Sequence, residues 1–450
     1  MEPSFDLVVI GTGAAGATAA YRCREAGWKV AIVDSRPFGG TCALRGCDPK
    51  KVLVGAAEAI DQVRRLEGKG IAARDAAIDW PALIKFKRTF TDPVPEVRER
   101  GYVDAGIAAF HSCARFTGPA AINVGTETLT SRHFLIASGA RPGSLGIPGE
   151  EHLTDSTHFM EMETLPNRIA FIGGGYISFE FAHVARRAGA HVTILHNSPR
   201  PLAGFDPDLV DQLVQTSQEI GIEIKLNAPV SSIEKSGSGL IVRTSGAGGG
   251  QSCEADVVVH GAGRIPEIDD LDLDIGGIRF GKAGVAVNEF LQSDSNPAVY
   301  AAGDCAAAPI PRLTPVASME GEVAAANLLR GNHRGVDFTE VPSIVYTVPP
   351  LATVGLHEQA AKEQGLKFRV NRQDTTGWYS SRRIGVRYSG TKVLVEEGSD
   401  RILGAHLFGP HADEVINLFA LAIRFRLTAT DLNEMIFAYP TGASDIGSMV

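Results

Sequence analysis

The sequence predicts an α/β chain: two Rossmann-like dinucleotide-binding domains, followed by a C-terminal α+β domain. Three observations predict it. Two glycine-rich turns, at Gly11 and at Gly173, each join a short apolar run to a helical pattern. Each helix leads into a second short apolar run, the signature of a βαβ unit. After residue 340 the pattern changes to alternating strands and one amphipathic helix.

The first unit starts with Phe5-Asp6-Leu7-Val8-Val9-Ile10, an apolar run that reads as a buried parallel strand. It feeds into Gly11-Thr12-Gly13-Ala14-Ala15-Gly16, and Ala17 to Glu25 continues as a helix. Lys29 to Val33 is the next strand, ending at Asp34. Glycines here allow a tight turn and close approach of a pyrophosphate, and the acid just over 20 residues on suits a ribose hydroxyl. The second unit repeats this plan. Arg168 to Ile172 is a strand, Gly173-Gly174-Gly175-Tyr176-Ile177-Ser178 the turn, Phe179 to Ala188 the helix and His191 to Leu195 the next strand. Ser178 stands where the third glycine would be, and serine is small enough for close helix–strand packing.

Gly139 to Gly149, with Pro142 and Pro148, reads as the crossover between the two folds, and Gly246 to Gly250 as a hairpin-like loop. Ser343 to Tyr346 and Gly385 to Glu397 suggest antiparallel strands, the latter turning at Ser389-Gly390. Asp413 to Phe425 gives an amphipathic helix with Val415, Leu418, Phe419, Leu421 and Ala422 on one side. This last unit carries no cofactor signature and reads as a dimer interface.

Composition bounds the function. A chain of 450 residues accommodates about three domains of ordinary size. A net charge of -9 argues against nucleic acid as the main partner. The first strand begins too early for a cleaved leader, and residues 7–21, though uncharged, are glycine-rich and lack a basic flank. No membrane span is expected. Cys23, Cys113, Cys253 and Cys305 are scattered without framework spacing, so a reducing, cytoplasmic compartment is expected. No metal-ligand set is expected.

The most informative run is Gly39-Gly40-Thr41-Cys42-Ala43-Leu44-Arg45-Gly46-Cys47-Asp48-Pro49-Lys50-Lys51. Two cysteines with Gly46 between them can close a small disulfide loop. Asp48-Pro49 reads as N-cap and first helical residue, with the helical pattern running from Lys50 through Ala59. That places Cys47 at the positive end of a helix, where a thiolate is favoured.

These residues resemble the two-dinucleotide-fold disulfide reductases, the glutathione reductase and dihydrolipoamide dehydrogenase family. The resemblance rests on the cysteine run, on Ala137-Ser138-Gly139, Gly261-Ala262-Gly263-Arg264, Tyr300-Ala301-Ala302-Gly303-Asp304 and Leu313-Thr314-Pro315-Val316-Ala317. It implies FAD in the first fold and a nicotinamide nucleotide in the second. It also implies domain limits of 1–148 and 276–338 for FAD, 149–275 for the nucleotide and 339–450 for dimerisation. Implied cofactor-binding residues are Gly11, Gly13, Ala14, Ala15, Gly16, Asp34, Gly40, Thr41, Lys50, Ala114, Ser138, Gly139, Gly173, Gly174, Gly175, Ile177, Glu180, Asn197, Arg200, Gly263, Asp304 and Thr314. Implied catalytic residues are Cys47 at the flavin face, Cys42 as the outer interchange thiol, and the pair Lys50 and Glu180 near flavin N5.

Departures from the family pattern shape the functional expectation. The usual His-Pro-Thr near the C-terminus is Tyr439-Pro440-Thr441 here, and Ser444 replaces the glutamate that would orient the histidine. A phenol, with a pKa of about 10 against about 8.5 for a thiol, can donate to a leaving thiolate, although full transfer is uphill by about 2 kcal/mol. Tyr439 thus suits delivery of electrons from nucleotide to acceptor, in a homodimer whose partner brings this residue to the thiols. Positions that hold glutathione carboxylates with arginine are Tyr21 and Glu322, so glutathione disulfide is not the expected substrate. No cysteine follows Cys305. His196 stands where NAD-specific relatives carry an acid, and Asn197 and Ala203 where NADPH-specific ones carry arginine. With Arg200 between them, the balance favours NADPH over NADH. The expected function is an FAD-dependent NAD(P)H:disulfide oxidoreductase with a small acceptor. The alternatives are a metal-ion or quinone reductase and a non-catalytic flavoprotein redox sensor.

Overall fold

The computed structural model describes residues 4–450 apart from residues 74, 247–249, 309–310 and 339. Two compact units are present. One gathers Met1–Lys50, Phe86–Gly143 and Arg264–Phe338; the other gathers Lys51–Lys85, Ser144–Gly263 and Thr339–Val450.

The first unit is built on a seven-stranded sheet. The strand Phe5–Ile10 lies between Val30–Asp34 and Glu127–Ile136, parallel to both. Ala108–His111 and Val299–Ala301 extend the parallel part on either side. Side chains alternate across the sheet. Leu7 and Val9 pack with Ala15, Ala19 and Ala20 of the helix Ala14–Glu25, while Val8 and Ile10 pack with Phe116 and Phe134 on the other face. Both faces are covered, which is why the run is apolar at successive positions. The helix begins at Ala14, three residues earlier than the sequence pattern suggests, so its open N-terminus lies directly beyond Gly13.

The second unit carries a five-stranded parallel sheet in the order Ile222–Lys225, His191–Leu195, Arg168–Ile172, Val257–His260, Leu153–Thr154. The helix Tyr176–Arg187 follows the second glycine turn. A Cβ built on Gly261 would meet Ser178 Oγ at 2.1 Å. Serine is accommodated in the third-glycine position because a glycine faces it. Residues 247–249 of the loop expected at Gly246 to Gly250 lie outside the described residues.

The same unit contains a five-stranded antiparallel sheet in the order Ser343–Val345, Leu351–Gly355, Ile402–Phe408, Gly390–Glu396, Phe368–Asp374. The turn expected at Ser389-Gly390 is not one. The strand starts at Gly390, and the Ser389 hydroxyl is held by Thr375 and Ser381 at 2.8 Å each, which fixes the chain before it. The predicted amphipathic helix spans Ala412–Arg424, with Val415, Ile416, Phe419 and Ala422 in the core. Leu421 is 51% exposed and shares the outer face with Phe425, because it lies two residues, about 200°, beyond Phe419. Among the described residues no helix is long and apolar enough to cross a membrane.

Candidate functional site

A short helix, Gly40–Arg45, carries Cys42, and a long one, Cys47–Arg65, begins with Cys47. Gly46 joins them; a Cβ there would lie 2.9 Å from Thr41 O, so the joint has no room for a side chain. The helix starts before the expected N-cap. Asp48 therefore sits inside the first turn, and its Oδ1 lies 3.7 Å from Cys42 Sγ, accepting the thiol hydrogen. The cysteines expected to form a disulfide loop are present as two free thiols.

Their electrostatics are unequal. The hydrogen bond from Cys42 pulls Cys47 down to about 6 against the opposing effect of burial, with help from Thr314 and the Lys50 charge. Thr314 Oγ1 lies 3.5 Å from Cys47 Sγ. Cys42 moves the other way, raised by its bond to Cys47, by burial and by the negative charges of Cys47 and Asp48. The dithiol thus holds its proton on Cys42 and its negative charge on Cys47. Lys50 is buried beside them in the same unit.

The first glycine turn contains two kinds of glycine. Gly11, at φ +111°, would place a Cβ 2.2 Å from Ala137 O, and Gly16 would place one 2.1 Å from Gly11 O. Gly40, at φ +71°, would press on Gly13 Cα at 2.4 Å. Gly13 and Gly139 instead face open space, with no atom within 4 Å of a built Cβ. Open space at Gly13, in front of the N–H groups of Ala14, Ala15 and Gly16, fits a pyrophosphate. Asp34 Oδ2 accepts from Thr12 N–H at 2.9 Å and from Thr12 Oγ1 at 2.6 Å, and Oδ1 accepts from Arg36 N–H at 3.0 Å. A carboxylate has further lone pairs for a ribose. Thr41 follows Gly40 in the short helix, Ser138 precedes Gly139, and Ala114 is buried at the start of the strand Ala114–Gly118.

Two carboxyls in this unit are shifted. Burial pushes Asp304 up, opposed by Arg264 and Arg312. Burial pushes Glu320 up to about 7, although its Oε2 accepts from Gly303 N–H. Glu320 Oε1 is buried without a hydrogen-bond partner, an orphaned acceptor next to the residues implied for the flavin ribityl chain. Together with the cradle at Gly13, these features fit FAD. Sequence reading missed Glu320; a glutamate six residues into a small-residue helix was its only signal.

In the second unit Gly173, at φ +105°, is crowded by Gly261 O at 2.4 Å, whereas a Cβ on Gly175 would meet nothing closer than 3.6 Å. His196 Nδ1 accepts from Gly174 N–H at 3.0 Å, and Nε2 lies 2.6 Å from Ser198 Oγ and 3.1 Å from Arg200 O. This repeats the Asp34–Thr12 bond with a ring nitrogen in place of a carboxylate. A Cβ on Gly174 would lie 2.6 Å from that ring, so histidine and glycine are matched. Arg200 is half-exposed, with Asp211 3.8 Å from its Nε. Asn197 adjoins His196, Ile177 lies in the first turn of the helix Tyr176–Arg187, and Gly263, at φ +117°, faces open space. Glu180 is buried and accepts from Tyr346 N–H at 2.8 Å. Lys50 belongs to the first unit and Glu180 to the second.

Tyr439 is 78% exposed, and the Ser444 hydroxyl donates to Thr441 O at 2.6 Å. At the positions implied for glutathione carboxylates, Tyr21 stacks on Tyr102 and Glu322 pairs with Arg22 at 2.9 Å. Elsewhere in the second unit Asp206, His357 and His406 bring ligand atoms within 4.8 Å of one another. Lys392 Nζ already holds Asp206 at 2.8 Å and also contacts Asp208, so a cationic group occupies that cluster.

Residues 5–321 match the family described as pyridine nucleotide-disulphide oxidoreductase, and residues 341–450 match the dimerisation domain of the same family. The chain belongs to this family: it is a flavoprotein oxidoreductase acting on sulfur groups, and family members use FAD and NAD(P)H. It is 32% identical to mercuric reductase of Staphylococcus aureus, over 99% of this chain and 82% of that protein. Glutathione reductase of Burkholderia cepacia is also 32% identical, over 98% of this chain and 97% of its own. Dihydrolipoyl dehydrogenase of Thermus scotoductus is 33% identical, over 97% of this chain and 95% of its own. The HOCl-induced flavoprotein disulfide reductase RclA from Escherichia coli superimposes with a TM-score of 0.89, at 25% identity over 99% of both chains. Three named activities at near-equal identity leave the acceptor to be argued from the site.

Proposed function

We propose that this protein is an FAD-dependent NADPH:disulfide oxidoreductase that works as a homodimer on a small acceptor other than glutathione disulfide. The observation that carries this reading is the asymmetric dithiol. Cys47 holds the charge beside Thr314 and Lys50, and Cys42 holds the proton. Bound FAD supplies two-electron transfer between the nicotinamide and the thiol pair. Cys42 then attacks the acceptor, and Cys47 attacks Cys42 to close the internal disulfide and release the product. The Lys50 charge favours the thiolate form of Cys47. Tyr439, exposed on its own protomer, is assigned to the partner's thiols as a hydrogen-bond donor to the leaving thiolate.

Tyr439→Phe tests the last assignment, since it removes the hydroxyl and keeps the ring. Flavin reduction by NADPH should stay near wild type while disulfide turnover falls about tenfold, equivalent to about 1.4 kcal/mol of transition-state stabilisation. Stopped-flow and steady-state rates check this, and unchanged disulfide turnover would remove Tyr439 from the mechanism.

For the nucleotide, His196 removes the carboxylate that would repel a 2′-phosphate, and Arg200 is exposed and close by. Arg200→Ala should lower the NADPH-to-NADH ratio of kcat/KM at least about fivefold, the value of one exposed charged contact. An unchanged ratio would take Arg200 out of phosphate binding.

Two observations favour a metal-ion acceptor as the second reading. The thiols have a carboxylate beside them, and the chain is similar to a mercuric reductase over nearly its full length. Steady-state NADPH oxidation with disulfides, quinones and thiophilic metal ions separates the readings. Turnover confined to metal ions would replace the disulfide assignment.

A further inference from the structure

We infer that Asp48 is a charge gate on Cys42, a specificity-determining residue that favours neutral and cationic acceptors and disfavours anionic ones. The inference rests on the reading of Cys42 as the attacking thiol, and it narrows the acceptor class of that same site.

Four observations carry it. Asp48 is exposed, so an incoming molecule meets its charge before it reaches the buried parts of the site. Its Oδ1 is 3.7 Å from Cys42 Sγ, the attacking atom. The charges that act most strongly on Cys42 are both negative, those of Cys47 and Asp48; at Cys47 the Asp48 charge is felt as well, but there the Lys50 charge opposes it. At the positions implied for glutathione carboxylates, Glu322 is paired with Arg22 and Tyr21 stacks on Tyr102, so neither supplies a positive charge that would offset Asp48 for a carboxylate-bearing substrate.

The chemistry balances without further reactants. The Cys42 sulfur attacks one sulfur of the acceptor disulfide, the acceptor S–S bond breaks, and the first product leaves as a thiolate. The Cys42 proton passes to that thiolate. The Cys47 thiolate then attacks Cys42 Sγ, the internal disulfide forms, and the second product leaves with the remaining negative charge. Two electrons move from the dithiol to the acceptor. Asp48 takes no part in the exchange of bonds.

A unit charge brought within roughly 6 Å of a carboxylate at an aqueous surface changes a rate by about three- to tenfold, and salt weakens the effect. Alkylation of the phosphine-reduced holoenzyme measures this without turnover. Iodoacetamide is neutral and iodoacetate is anionic. Each forms a C–S bond to Cys42 with loss of iodide and of the thiol proton to solvent. Trypsin cuts at Arg45, between the two cysteines, so the Cys42 adduct is read on its own peptide by mass spectrometry.

The ratio of the two rates should shift toward iodoacetate by about three- to tenfold in Asp48→Asn and by less than about twofold in Asp48→Glu. A ratio cancels any change in the Cys42 thiolate fraction, which alters both rates alike. The wild-type ratio should approach that of Asp48→Asn at about 1 M salt. In steady state, wild type should prefer cystamine, a dication, over dithiodiglycolate, a dianion, by at least about tenfold more than Asp48→Asn does. Retention of flavin absorbance shows that each variant is folded. Alkylation ratios within twofold of each other in wild type and Asp48→Asn would overturn the charge gate. Absence of NADPH-driven turnover with either disulfide, alongside a shifted alkylation ratio, would overturn the disulfide reading and leave the charge gate standing.

Discussion

Cys42→Ser should abolish disulfide turnover, by at least about 10³-fold, while NADPH still reduces the flavin. The variant removes the only sulfur assigned to attack the acceptor and keeps everything assigned to the nucleotide side. It should also show a long-wavelength absorbance band without added reductant, because Cys47 is then a thiolate beside oxidised flavin with no partner to form a disulfide. Cys47→Ser should lose turnover equally and show no such band. In wild type reduced by two electrons, the band should persist as pH falls until about 6 and disappear below it, since the thiolate is the depressed, favoured form above that value. Absorbance titration and steady-state assays check both variants. A band in Cys47→Ser but not in Cys42→Ser would exchange the roles of the two cysteines.

The same pair shows how far the sequence could be read. The Cys42–Cys47 spacing and the helix after it favour a thiolate at Cys47 on the sequence alone, because a helix start favours that charge. What was not legible was where the helix begins. The helix begins at Cys47, two residues before the expected first helical position, so Asp48 lies inside its first turn and beside the Cys42 sulfur. Helix ends are set by local competition among side chains, and pattern alone does not resolve that competition. Both glycine turns were legible because their strands, helices and acidic or equivalent partners recur at fixed offsets. The use of His196 as the acceptor for Gly174 N–H was not, since a histidine in that place gives no hint of which nitrogen faces the backbone. Leu421 and the Ser389-Gly390 turn were misread for related reasons. A stripe drawn on a helix does not say where the core ends, and Ser389 is fixed by hydroxyl partners 8 and 14 residues away.

Gly11→Ala and Gly13→Ala should both cost the protein its FAD, for different reasons that measurement can separate. At Gly11 the backbone is left-handed, φ +111°, and a methyl group would lie 2.2 Å from the Ala137 carbonyl oxygen. That atom belongs to backbone and cannot swing away, so Gly11→Ala should destabilise the first unit by more than about 4 kcal/mol. Little folded protein should be recovered. At Gly13 φ is -71°, which alanine adopts without strain, and no atom stands within 4 Å of the new methyl group. Gly13→Ala should therefore fold, with the flavin-free protein changed in stability by less than about 1 kcal/mol. Its methyl group occupies the approach of the pyrophosphate to the helix N-terminus, so Kd for FAD should rise at least about 100-fold, or about 2.7 kcal/mol. Thermal unfolding of the flavin-free protein and FAD titration give the two numbers independently. If Gly13→Ala binds FAD as tightly as wild type, the open space at Gly13 is not where the pyrophosphate sits, and the FAD assignment for this turn fails with it.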